Sequence, residues 1–169
     1  MTSPSPVPPT PSQTVGPFFA HGLPYEQDWE LVPDGHPDAI TLSGRVLDGA
    51  GEPVPDALLE LWLGRDGDRG ALRRGDGRVS GFGRCATRPD GSYRFRTARP
   101  DGPYLSLQVF ARGLLRSVLT RIYLKDVPDP LLDGLDPARR STLIATELAG
   151  GYTFDVRLQG TGETVFLDF

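Results

Sequence analysis

The sequence is poor in several residue types, and each scarcity excludes something. Cys85 is the only cysteine, so no intramolecular disulfide can form and no zinc site can be built on cysteines. The only histidines are His21 and His36, with no H-x-H or i,i+4 spacing to offer a metal two ligands from one element. Lys125 is the only lysine, so nearly all positive charge is arginine, and the formal net charge is −4. That acidic balance argues against bulk electrostatic binding to nucleic acid or an anionic membrane. No apolar run approaches the roughly 18 residues of a membrane-spanning helix. The opening Met1–Pro6 has neither the basic nor the apolar region of a secretory signal, and the expected setting is a reducing cytoplasm. Phosphate-loop, dinucleotide, nucleophile-elbow and zinc-protease motifs are all missing.

What is present suits one packed domain: 169 residues, 38% hydrophobic and 9% aromatic. Six prolines lie among residues 1–17, which makes that stretch an extended arm. A disordered tail has the same composition, but Thr14-Val15-Gly16-Pro17-Phe18-Phe19 ends the arm on a turn and two aromatics, as an anchored segment would. Alternating or compact apolar segments follow at 40–47, 57–63, 92–97, 104–112, 118–124, 152–158 and 163–169, separated by Gly, Pro and Asp turns. A loop rich in Gly, Arg and Asp runs from Gly64 to Arg78, and Gly81-Phe82-Gly83-Arg84 reads as a bulge or bend. Tyr25–Leu31 is a weak helical candidate, and Pro137 stands where a first helical position wants proline. The pattern predicts an all-β, antiparallel β-sandwich of seven or eight strands with a proline-rich N-terminal arm and short helical decorations. Residues 1–39 would be arm and linker, and 40–169 the sandwich.

Chemistry is harder to find. Cys85 reads as a buried structural thiol before a nucleophile. Asp48, Asp66, Asp68, Asp76 and Asp90 sit in Gly-rich turns, where Asp serves the backbone. The residues alone leave open a binding module and a subunit whose partner does the chemistry.

The two ends carry a resemblance. Thr10–Phe18 and Gly160–Phe169 resemble the opening and closing motifs of the alpha chains found among intradiol dioxygenases. Gly81–Arg84, Val109–Gly113, Thr120–Tyr123 and Arg139–Ala145 follow in the same order, so the likeness spans residues 10 to 169. It implies a chain working with a homologous catalytic beta subunit. That partner would hold Fe(III) through two Tyr and two His and cleave a catechol, protocatechuate, with O₂. The beta chain's two His form an H-x-H pair on one strand. Tyr104 and Ser106 stand at those positions here, so the resemblance implies that this chain binds no iron itself. By matching position, Thr14, Gly16, Pro17 and Phe18 would wall the substrate pocket, or else clamp the subunits together. Arg112 would meet the substrate carboxylate, or else make an interface salt bridge. A transthyretin-like or carboxypeptidase-regulatory-like module is the alternative on fold grounds, and higher hetero-oligomers of alpha–beta units are expected.

Overall fold

The longer strands bury apolar residues at every second position. The structure is a computed structural model, and it describes residues 11, 13, 14, 16, 18–63 and 81–168. The Gly64–Arg78 loop, Pro17 and Phe169 lie outside the described residues. The described strands are β1 (Ala39–Leu47), β2 (Leu58–Trp62), β3 (Phe82–Ala86), β4 (Ser92–Ala98), β5 (Tyr104–Phe110), β6 (Val118–Tyr123), β7 (Thr146–Leu148), β8 (Gly151–Thr153) and β9 (Val156–Arg157). Three single-turn helices decorate them: α1 (Phe19–Gly22), α2 (Pro130–Asp133) and α3 (Pro137–Ser141). No helix among the described residues is long and apolar enough to cross a membrane.

Two sheets face each other. The first runs β4-β1-β8-β7, with β9 also beside β1, and the second runs β3-β2-β5-β6. Ile40, Leu42 and Val46 of β1 and Tyr93 and Phe95 of β4 point into the gap, where they meet Leu59, Leu61, Leu105, Leu107 and Val109. Phe95 is fully buried, which alone stabilises by about 1.5 to 3 kcal/mol. The Tyr93 hydroxyl is buried in this core and donates to the Phe154 carbonyl at 2.6 Å.

Pairing is antiparallel throughout the second sheet and between β1 and β4, while β8 and β9 run parallel to β1. The expected strand over 152–158 is therefore two short ones. Between them, Asp155 accepts the Arg45 amide through Oδ1 at 2.8 Å. Gly44 lies against this break so closely that a Cβ there would sit 1.8 Å from the Phe154 carbonyl oxygen. Of Gly81–Arg84 only Gly81 is a bend, and Phe82, Gly83 and Arg84 open strand β3. Gly83 is needed because Leu31 lies on it, with Cδ1 2.2 Å from a notional Cβ. Tyr25–Leu31 is not helical: Leu31 donates to the Arg96 carbonyl and Arg96 donates back to Trp29, extending the segment along β4. The 163–169 segment reduces to one bridge, Leu119 to Leu167, although Val165 is buried. Pro137 does open α3, with Asp136 accepting from the Ala138 and Arg139 amides.

Candidate functional site

The outer face of the second sheet carries the residues singled out by the sequence, and it divides at the two ends of β5. At the Phe110 end, the chain turns through Ala111-Arg112-Gly113, with Gly113 at φ +88°. The Thr14 hydroxyl accepts the Gly113 amide at 2.9 Å, and this pins the arm beside Arg112. Phe19 stacks on Phe110, ring centroids 5.4 Å apart and 12° from parallel. Gly16 takes φ +72°, a left-handed conformation that favours glycine, with nothing within 4 Å of where a Cβ would stand. Phe18 is 82% exposed. The structure thus brings Thr14 and Arg112 to one place and leaves Phe18 pointing outward.

Arg112 has a partner that the sequence did not reveal. Its Nε donates to Asp56 Oδ1 at 3.1 Å and its Nη2 lies 2.8 Å from Asp56 Oδ2, a two-pronged contact. The Arg112 side chain is 58% exposed while that of Asp56 is 11% exposed, so one face of the guanidinium remains open. Asp56 is 56 residues away, and only the β2–β5 pairing brings the two together.

At the Tyr104 end, neighbouring strands consume what chemistry there is. Tyr104 lies directly opposite Tyr123, and Ser106 opposite Arg121. The Arg121 guanidinium sits 4.0 Å from the centre of the Tyr104 ring, a cation–π contact. The Tyr123 hydroxyl donates to Asp129 Oδ1 at 2.9 Å, and Arg121 Nη1 lies 3.8 Å from the same oxygen. Burial pushes the Tyr123 phenol up, the Arg121 hydrogen bond opposes this, and the Asp129 carboxylate adds to the rise. The phenol therefore keeps its proton at neutral pH. Burial also pushes Asp129 up, but hydrogen bonds from Tyr123, Leu131 and Leu132 and the charge of Arg121 outweigh it and hold the carboxyl below its usual value.

The remaining candidates are structural. Cys85 donates weakly to the Ala86 carbonyl at 3.4 Å. Burial pushes its thiol up, against the pull of the Arg94 backbone and Arg88, so it is a poor nucleophile. His36 Nδ1 accepts the Asp38 amide. Asp48 and Asp90 accept turn amides, the role that their sequence setting predicts.

Comparison with known proteins fixes the family. A family model described as dioxygenase matches residues 14–121. The chain is 36% identical to the protocatechuate 3,4-dioxygenase alpha chain of Burkholderia cepacia, over 94% of this chain and 96% of that one. The chain belongs to the intradiol dioxygenases. The corresponding beta chain of Burkholderia cepacia is 31% identical, over 79% of this chain and 70% of its own length. Among solved structures, the dioxygenase domain of a dioxygenase–carbohydrate-binding fusion from Streptomyces sp. SirexAA-E superposes with a TM-score of 0.55. It is 25% identical, covering 90% of this chain and 99% of that one. Membership in the intradiol dioxygenases disfavours the non-enzymatic module.

The resemblance made iron the partner's property, and the residues at the Tyr104 end do not fit a ferric ion. Ferric iron takes deprotonated oxygen and neutral imidazole donors. Here the Arg121 guanidinium covers one tyrosine ring, the other hydroxyl is engaged by Asp129, and Ser106 supplies no ligand of consequence. A metal ion approaching this cluster would face the positive charge of Arg121. Among the described residues, no three His, Cys, Asp or Glu side chains are grouped to hold a metal.

Proposed function

We propose that this chain is the alpha subunit of an enzyme that cleaves protocatechuate with O₂ to 3-carboxy-cis,cis-muconate in the cytoplasm, Fe(III) being held by a homologous beta subunit. The observation that carries this reading is the near-full-length likeness to an alpha chain. The filled Tyr104 cluster supports it, since Arg121 takes the space and charge of a cation there. In this reading residues 1–39 are arm and linker and 40–169 carry the sandwich, the arm reaching toward the partner while Leu31 of the linker packs into the sandwich core. Thr14, Gly16, Pro17 and Phe18 wall the substrate pocket. Two features support that role: the anchoring of Thr14 on Gly113, and the exposure of Phe18 immediately beyond it. An arm already pinned at Thr14 loses less freedom on docking, which favours binding. Arg112 presents its open face to the carboxylate of the aromatic substrate, bidentate pairing being the geometry a guanidinium favours.

Expression with and without a beta chain is the test. The chain alone is expected to be colourless, iron-free and inactive. Coexpressed with beta it is expected to give a red-brown complex that turns over protocatechuate. Stoichiometric ferric iron with ring cleavage by the isolated chain would overturn the assignment.

A further inference from the structure

The outer face of the first sheet concentrates positive charge, against the negative balance of the whole chain. Ser43 on β1 lies opposite Arg94 on β4 and Thr153 on β8, and Arg45 lies opposite Ser92. Side chains two apart on a strand share a face, so Ser43 and Arg45 stand side by side. The short hydroxyl residues Ser43, Ser92 and Thr153 leave a depression of about 400 Å³, and Arg45, Arg88 and Arg94 also line it. Asp155 is the only carboxylate in that lining. One of its oxygens is already committed to the Arg45 amide. Asp90 stands at the edge, held by the Ser92 amide and hydroxyl and within the field of Arg45, so three guanidiniums against two carboxylates leave a local positive excess in a chain of net charge −4.

These arginines also differ in how they are paired. Arg84, Arg96, Arg112, Arg116, Arg121 and Arg140 each have a carboxylate partner. No carboxylate of the described residues pairs with Arg45, Arg88 or Arg94, and all three are exposed. The Arg94 guanidinium is steadied over the Trp29 ring at 5.7 Å. Guanidinium forks match the oxygens of carboxylate and phosphate, the Ser43 and Thr153 hydroxyls add donors to the floor while that of Ser92 is engaged by Asp90, and a concave wall focuses the field. We propose that this pocket binds a small, multiply charged oxyanion, either inorganic phosphate or a polycarboxylate.

Calorimetric titration of the full-length chain tests the site, with inorganic phosphate in one arm and tricarballylate, a tricarboxylate, in the other. Saturable 1:1 binding of either anion is expected at millimolar concentration, with the tighter arm identifying the source. Arg45→Gln and Arg88→Gln change exposed side chains, and each is expected to weaken binding roughly tenfold, as loss of one charge-assisted hydrogen bond does. Absence of saturable binding in both arms would overturn the proposal. So would undiminished binding by the double variant. Binding seen with the isolated chain but abolished on assembly with a beta subunit would reassign the pocket as a subunit contact and likewise overturn a small-ligand site.

Discussion

The two ends of β5 start from the same strand geometry and finish with opposite properties. At Tyr104 the outward-facing groups find partners within the chain: Tyr123 bonds Asp129 and Arg121 covers Tyr104. At Phe110 the outward-facing groups are held by short contacts but stay accessible, as with Thr14 on Gly113 and Arg112 on Asp56. A buried polar cluster must be satisfied internally or it costs stability, so its chemistry is spent on the fold. An exposed ion pair contributes little to stability and can exchange partners cheaply. The two ends of one strand can therefore differ, one sealed within the chain and the other open. What decides is whether neighbouring side chains fill the place a ligand or metal would take.

The strongest way to sharpen this comparison is to remove the accessible end. Truncation of residues 1–18 is expected to lower ring cleavage by the assembled enzyme roughly a hundredfold, the scale of a displaced positioning element. Iron content should be unchanged. Truncation of residues 1–9 is expected to change little, because that stretch has no counterpart in the resembling motif. Turnover and iron assays on the two truncations make the check, and equal losses from both would reduce the arm to a clamp.

Arg112 comes next in size. Because it is exposed and already paired with Asp56, the lower end of the range for charged hydrogen bonds applies, about 1.5 kcal/mol. Arg112→Ala is then expected to lower kcat/KM about tenfold for protocatechuate. Catechol lacks the carboxylate, so its kcat/KM should fall much less. Steady-state kinetics on both substrates, with assembly checked, decides the matter. Matching losses would show that Arg112 serves the subunit interface, with Asp56 as its fixed partner.

The sequence showed these ends unequally. Alternation and turn chemistry marked β1, β2, β4, β5 and β6, because antiparallel neighbours joined by short loops leave a local imprint. Strand β3 escaped, since Gly83 and Arg84 look like a bend until Leu31 is seen lying on the glycine. Strand β7 escaped because it is three residues long and exposed, and the segment 152–158 was legible as strand but not as the two short pieces β8 and β9, which pair parallel to a distant β1. The arm is legible as a motif that contains Thr14, although its hydrogen bond to Gly113 is not. Asp56 and Arg121 were not legible as site residues. Their partners are set by register across strands, 56 residues away for Arg112 and Asp56, and no local spacing encodes that.

The sealed end offers the smallest effect and the cleanest sign. Tyr123→Phe removes one buried hydrogen bond to Asp129, and the expected cost is about 1 kcal/mol of stability with turnover of the assembled enzyme unchanged. Asp129→Asn adds a pH signature. The folded carboxyl sits below its usual value, held there against burial by Tyr123, the Leu131 and Leu132 amides and Arg121. A carboxyl depressed on folding stabilises fully above its unfolded pKa, about 4, and that stability is lost as pH falls through the folded value. The wild type should therefore exceed Asp129→Asn in stability by a constant margin near neutral pH, and the margin should shrink below about pH 4. Chemical denaturation at several pH values measures it. A margin that persists unchanged into acid would mean that Asp129 acts by shape and not by charge. A Tyr123→Phe enzyme that stays assembled yet loses turnover would break the comparison itself, because the Tyr104 end would then be taking part in the reaction.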